Sequence, residues 1–268
     1  MNVTKQIRRE GTTIYCGASL FSGRETLFNA YLTHNLEIKG YDVIMPQRDG
    51  FEFSDLNKSL SSLLRKDEVD TAVQNVIFIL DVGKFVPKSN VILANFDEPI
   101  DEGLVVEVCS GAALEKTVVG FRTDSRSPFG SPADFFGGMH FFPAMMCDSF
   151  IRQHMPNKTL TPDGRCTEDA ANAMGELANK IDKVIVADLE RRQEDIRQYE
   201  KGKNHGWPTL IEELDIFMPR PTRYQAKVTE LADVLFKGVD DIHSEAGLRT
   251  ISKRYAEHKA EMEAIRPS

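Results

Sequence analysis

Glu107 is the residue that packing alone explains least. It lies among Val105, Val106, Val108, Ala112 and Ala113, so its helix is expected to be buried on much of its circumference. An ionised carboxylate in such surroundings costs several kcal/mol unless it is paired or used. Two readings stand on the residues alone. Glu107 is either a structural carboxyl hydrogen-bonded to Tyr15, or a carboxylate kept for chemistry. Asp97, Glu98, Asp101 and Glu102 lie just upstream. Acids at a helix start gain roughly a few tenths of a kcal/mol from the helix dipole, which accounts for Asp101 and Glu102 but not for Glu107. Asp81 emerges from the apolar run Val76–Leu80. It reads either as a solvated helix end or as a functional acid.

Other familiar chemistries find no support. The six histidines are scattered, and none stands beside a Ser or Cys nucleophile, so a catalytic triad is not indicated. Of these, His140 alone lies in a loop suited to a ligand, and its structural reading is the simpler one. The four cysteines form no C-x-x-C pair and sit near no histidine at metal-ligand spacing, so reduced thiols and no metal site are expected. The Gly17–Gly23 loop has neither dinucleotide-binding nor P-loop spacing. Arg122 and Arg126 could hold an anion or pair with Asp124 and its acidic neighbours.

The elements that must position these residues alternate between short β-branched runs and amphipathic stretches. Strands are expected at 12–16, 42–45, 90–95 and 117–121, with helices over 24–39, 68–80 and 104–115. A fifth strand is expected near 145–150. This is the pattern of a doubly wound α/β sheet. Ligands of such sheets bind beyond the carboxyl ends of the strands. That rule selects the loops beginning at Gly17, Gln47, Asp97 and Arg122, with Glu107 one turn into a helix. From Thr167, a plausible N-cap, a long helix follows, and then an all-helical tail near 221–239 and 243–265. Trp207 with Pro208 reads as a turn anchor for that tail. Domains are expected at 1–190 and 191–268.

Composition bounds the function. The 268 residues are 41% hydrophobic and 28% charged, enough for a sizeable core. Lys and Arg total 33 against 41 Asp and Glu, a net charge of −8, which argues against nucleic-acid polymers as partners. The longest apolar runs are far short of the roughly 20 residues that span a bilayer. Met1–Glu10 has no apolar secretory core, so a cytoplasmic location off the membrane is expected.

Five segments in order resemble the nucleoside 2-deoxyribosyltransferase family. They are Thr13-Ile14-Tyr15-Cys16-Gly17 with Leu20-Phe21-Ser22 and Phe28-Asn29; Met45-Pro46-Gln47-Arg48-Asp49-Gly50; Val91 to Asp97; Asp101-x-Gly103-x-x-x-Glu107; and Gly120 to Arg126. The resemblance covers about residues 12–127. It implies a flavodoxin-like doubly wound parallel sheet, here with a C-terminal all-helical extension. It also implies exchange of the base of a 2′-deoxynucleoside for a free nucleobase, without a cofactor. On this resemblance Glu107 is the nucleophile at C1′, Tyr15 orients it, and Asp81 carries the proton to and from the base. Gln47 recognises the base, and Asp101 accepts from a deoxyribose hydroxyl. Gly17, Phe21, Asp49 and Arg126 complete the substrate-binding set.

The chemistry is coherent. An oxocarbenium-like transition state facing a carboxylate is trapped as an ester, and a second displacement restores configuration. Phe135, Phe136, Phe141 and Phe142 are candidates for a lid that keeps water from the ester. Two departures from the family stand out. Glu102-Gly103-Leu104-Val105 replaces a Ser-Gly-Thr-Ala segment. Phe136 to His140 replaces an Asn-bearing segment that the family supplies from a neighbouring subunit, and His140 or Arg126 could substitute. A homo-oligomer is implied all the same. Two other functions compete: a hydrolase of nucleosides or their 5′-monophosphates using the same Glu, suggested by Ser19, Ser22 and Arg24; and a nucleotide sensor without turnover.

Overall fold

The computed structural model describes residues 9–156, 159, 161–163, 165–200 and 219–265. Trp207 and Pro208 lie outside the described residues. Five strands form one sheet: β1 (Thr13–Gly17), β2 (Asp42–Ile44), β3 (Val91–Asn95), β4 (Thr117–Arg122) and β5 (Ser149–Arg152). Their order is β2-β1-β3-β4-β5 and every pairing is parallel. This is the flavodoxin-like α/β arrangement, with its topological switch between β1 and β3. The expected fifth strand is present, displaced toward the C-terminus.

Alternation along the strands sorts the two faces. Ile14, Cys16, Val91, Leu93, Val119, Phe121 and Ile151 pack into one core with Leu32 and Leu36 of α1 (Gly23–Glu37) and with Leu177, Ile181 and Ile185 of a long C-terminal helix (Glu168–Glu200). Thr167 caps that helix, its hydroxyl accepting from the Ala170 amide at 3.2 Å. Asp182 in the same helix accepts from Tyr41 at 2.8 Å and from Arg9 at 2.6 Å. Since Ile14 and Cys16 face this core, Tyr15 and Gly17 face the other side of the sheet.

The chain divides into two compact units, Met1–Met45 with Ser89–Phe217, and Pro46–Lys88 with Met218–Ser268. The sheet belongs to the first. The second is helical throughout its described residues. It contains α2 (Pro46–Asp49), α3 (Phe53–Ser61), α4 (Lys66–Leu80), a π-helical turn (Asp81–Phe85) and α5 (Val86–Lys88). The first unit adds α6 (Glu102–Ala113), α7 (Phe141–Met145) and α8, the long helix Glu168–Glu200. Among its described residues the second unit also has α9 (Pro219–Phe236), α10 (Glu245–Glu257) and α11 (Lys259–Glu263).

This division differs from the boundary expected at residues 190 and 191, for two physical reasons. Helix α8 runs through that point to Glu200 without a break. The tail helices share buried residues with the β2-to-β3 connection: Leu56, Leu60, Val73 and Val76 belong to one core with Val228, Leu231, Ile251 and Tyr255. Asn75 donates to the Tyr255 hydroxyl at 2.9 Å inside it.

Candidate active site

Helix α6 begins at Asp101, whose carboxylate accepts from the Leu104 amide at 2.9 Å and caps the first turn. Its inward stripe is Leu104, Glu107, Val108 and Gly111, at three-to-four spacing. Gly111 sits directly on β3: a Cβ there would stand 2.4 Å from Ile92 Cγ1. This close approach carries Glu107 to the end of β1, on the face that Tyr15 occupies.

Three groups meet there. The Tyr15 ring is fully buried, and its hydroxyl acts on the Glu107 carboxyl, favouring the charged form. Gly17 leaves the space the carboxylate needs, since a Cβ at that position would lie 3.0 Å from Glu107 Oε2. Burial pushes the Glu107 carboxyl up to about 7; the Tyr15 hydrogen bond opposes this, and the negative charge of Asp101 adds to it. The site therefore holds a carboxyl that changes protonation near neutrality, at the switch point where this fold class binds ligands.

Tyr15→Phe removes the hydrogen bond that favours the charged form. Glu107 is then expected to titrate above its wild-type value, as read from the 13C shift of its carboxyl across pH 5–9. An unchanged titration would show that Tyr15 does not act on this carboxyl.

The loops after β3 and β4 are tied together. Asp97 accepts from the Thr123 amide at 2.6 Å, the Thr123 hydroxyl at 2.6 Å and the Asp124 amide at 2.8 Å. Asp124 accepts from the Glu98 amide at 2.9 Å and pairs with Arg126 at 2.6 Å. Burial raises the Asp124 carboxyl, but the Arg126 partnership and two backbone donors outweigh it and hold the group below the usual range. Arg126 makes the pairing with Asp124 that the sequence offered as one of its two roles. Arg122 is only 2% exposed and donates to the Arg126 carbonyl, with Glu98 3.8 Å away.

The Gly17–Gly23 loop ends in an ordinary helix cap. Ser22 accepts from the Glu25 amide at 3.4 Å, while Phe21 is 82% exposed. His140 caps α7 through Nδ1, which accepts from the Phe142 amide at 3.3 Å, and it stacks on Phe141. That is the structural role. Phe135, Phe141 and Phe142 are all well exposed.

Tyr15, Gly17, Asp101 and Glu107 are thus brought to one place, with Phe21 and Arg126 elsewhere in the same unit. Gln47, Asp49 and Asp81 belong to the second unit. Gln47 and Asp49 lie on α2, where Arg48 pairs with Asp49 at 3.0 Å. Asp81 ends α4 and opens the π-helical turn. A cavity of about 1280 Å³ also lies at the carboxyl end of the sheet, lined among others by Arg24, Phe28, Asp97, Arg126, His154 and Met174. Tyr15 and Glu107 are not part of its wall. Sequence reasoning did not find Gly111, whose only signal is a glycine inside a helix. No group of three or more His, Cys, Asp or Glu among the described residues is arranged to hold a metal, and no described helix is long and apolar enough to cross a membrane.

The chain thus has a flavodoxin-like α/β sheet with the half-buried Glu107 carboxylate beside Tyr15 and Gly17 at its switch point. The profile of the nucleoside 2-deoxyribosyltransferase family matches residues 14–195, well over half of the chain, and the chain belongs to that family. No individual curated protein matches it.

Proposed function

We propose that this protein exchanges the base of a 2′-deoxynucleoside by double displacement through Glu107. The observation that carries the reading is the Glu107 carboxyl set beside the Tyr15 ring and against Gly17 at the end of β1, where burial raises it from its ordinary range. In the first step a Glu107 oxygen forms a bond to C1′ as the bond to the base nitrogen breaks. Asp81 delivers a proton to the departing base, which leaves as a neutral molecule. In the second step an incoming base attacks C1′, gives its proton to Asp81, and releases Glu107 as carboxylate. Two inversions give net retention. A near-neutral carboxyl is still largely ionised at pH 7.5, so it can attack, and its burial makes the charged form reactive.

On this reading Gln47 and Asp49 contact the base, Asp101 accepts from a sugar hydroxyl, and Gly17, Phe21 and Arg126 border the substrate. The substrates are small deoxynucleosides and free nucleobases, turned over in the cytoplasm by a homo-oligomer without cofactor.

Incubation of the purified protein with thymidine, with and without adenine, tests the reaction. Deoxyadenosine is expected only when adenine is present. Thymine released at the same rate without an acceptor would replace the transferase with a hydrolase, and no turnover would remove both.

A further inference from the structure

The tail helices lie beyond the family match, which stops at residue 195, yet one of them grips the segment that carries Asp81. The π-helical turn Asp81–Phe85 is closed by the Val86 amide, which bonds back to the Asp81 carbonyl. That leaves the next carbonyl, on Val82, in need of a donor. Residue 87 would supply it in a continued π-turn, but Pro87 has no N–H. The donor comes instead from α9: Gln225, 4% exposed, gives its side-chain amide to the Val82 carbonyl at 2.7 Å.

The neighbouring contacts have the same sense. A Cβ on Gly83 would stand 2.6 Å from the Val228 carbonyl oxygen and 3.0 Å from Ala232 Cβ, so only glycine admits α9 this closely. Lys84 Nζ lies 5.1 Å over the Phe236 ring. Gln225, Val228, Ala232 and Phe236 recur at three-to-four spacing, so a single face of α9 meets the turn residue by residue. Single π-turns inside helices open the backbone and are frequent at functional sites. A buried carbonyl left without a donor is costly, so this turn depends on Gln225.

We infer that Gln225 is a positioning residue, holding open the π-turn at Asp81 and through it the orientation of the Asp81 carboxyl. This rests on the assignment of Asp81 as the proton carrier. It gives the tail a part in catalysis: α9 does not touch the base, but it fixes the backbone from which the acid projects.

The test separates proton delivery from the rest of the reaction. Gln225→Met keeps the side chain's length and apolar stem and deletes the donor. Its kcat for thymidine-to-adenine exchange is expected to fall at least tenfold. A 2-deoxyribosyl donor with a nitrophenolate leaving group needs no proton on departure, and its release is expected at the wild-type rate. Asp81→Asn is expected to show the same split, and the double variant to lose no more than Asp81→Asn alone. Gln225→Leu serves as a second variant should Gln225→Met not fold, with the same split expected. Equal losses on both donors, or losses that multiply in the double variant, would overturn the positioning role and reduce α9 to packing. Should Asp81→Asn exchange thymidine at the wild-type rate, the assignment of Asp81 fails, and the role of Gln225 fails with it for that identifiable reason.

Discussion

Glu107→Gln is expected to yield a folded protein whose base exchange is lower by roughly 10⁴-fold or more, the scale on which removal of a catalytic nucleophile acts. No sugar ester should be detectable on the variant by intact-mass measurement after mixing with deoxynucleoside. The amide occupies the same volume and can still accept from the Tyr15 hydroxyl, so the lost function is charge and nucleophilicity rather than shape. The same variant should be more stable than the wild type at alkaline pH. The folded carboxyl titrates at about 7 against an ordinary 4.5, so between these values the native state holds a proton that the unfolded chain releases. Its contribution favours the native state fully below 4.5 and is lost as pH rises through 7. Above 7 the wild type carries a penalty on the order of 3 kcal/mol that glutamine does not. Denaturant midpoints of the two proteins should coincide more closely at pH 5 than at pH 8.5, with the variant ahead at the higher value. Parallel curves across that range would show that Glu107 is not buried in ionised form, and exchange at the wild-type rate would remove it from the mechanism.

The order and type of the elements that position this site were legible in the sequence because they are local. The β-branched runs at Thr13, Val91 and Thr117 and the cap at Thr167 announce themselves within a few residues, and the Thr167 side chain caps its helix; the caps at Ser22 and Asp101 were not read from the sequence. The conflict at Glu107 was legible too, since a charge among small apolar residues calls for a partner. What the sequence left open was decided by distance along the chain. That Asp124 stands where it pairs with Arg126 depends on Asp97, nearly thirty positions upstream of Arg126, which ties the two loops together. The tail read as an appended helical unit or an arm on a neighbouring subunit because the pattern turns all-helical after the sheet. Its partners are α3, α4 and the π-turn, and the Gln225 bond to Val82 spans 143 positions. The π-turn itself leaves no periodic trace, because one extra residue in a helical turn hardly disturbs the pattern of Val76 to Val86.

Gly17→Ala tests whether the carboxylate's place is set by space at the end of β1. Gly17 lies in ordinary extended backbone and is not among the positive-φ glycines, so alanine is permitted conformationally and any effect comes from the added methyl. That methyl would meet Leu104 Cδ1 at 2.6 Å, Glu107 Oε2 at 3.0 Å and the Tyr15 ring at 3.3 Å. Leu104 can rotate or α6 can shift outward; Tyr15 is locked in the sheet. Either way Glu107, one turn after Leu104 on the same stripe, is displaced from the position Tyr15 defines. Overpacking of this kind costs about 1–3 kcal/mol, and a misplacement of about 1 Å at a reacting group costs on the order of 10²-fold in rate. The expected result is therefore a kcat lower by about 10²-fold with a modest fall in Tm. Leu104→Ala added to Gly17→Ala separates the two contacts. It removes the 2.6 Å clash but leaves the methyl against Oε2, so Tm should recover while kcat does not. If the double variant regains activity in proportion to stability, the methyl acts through general packing. If Gly17→Ala alone turns over at the wild-type rate, the space at Gly17 is not what holds the carboxylate in place.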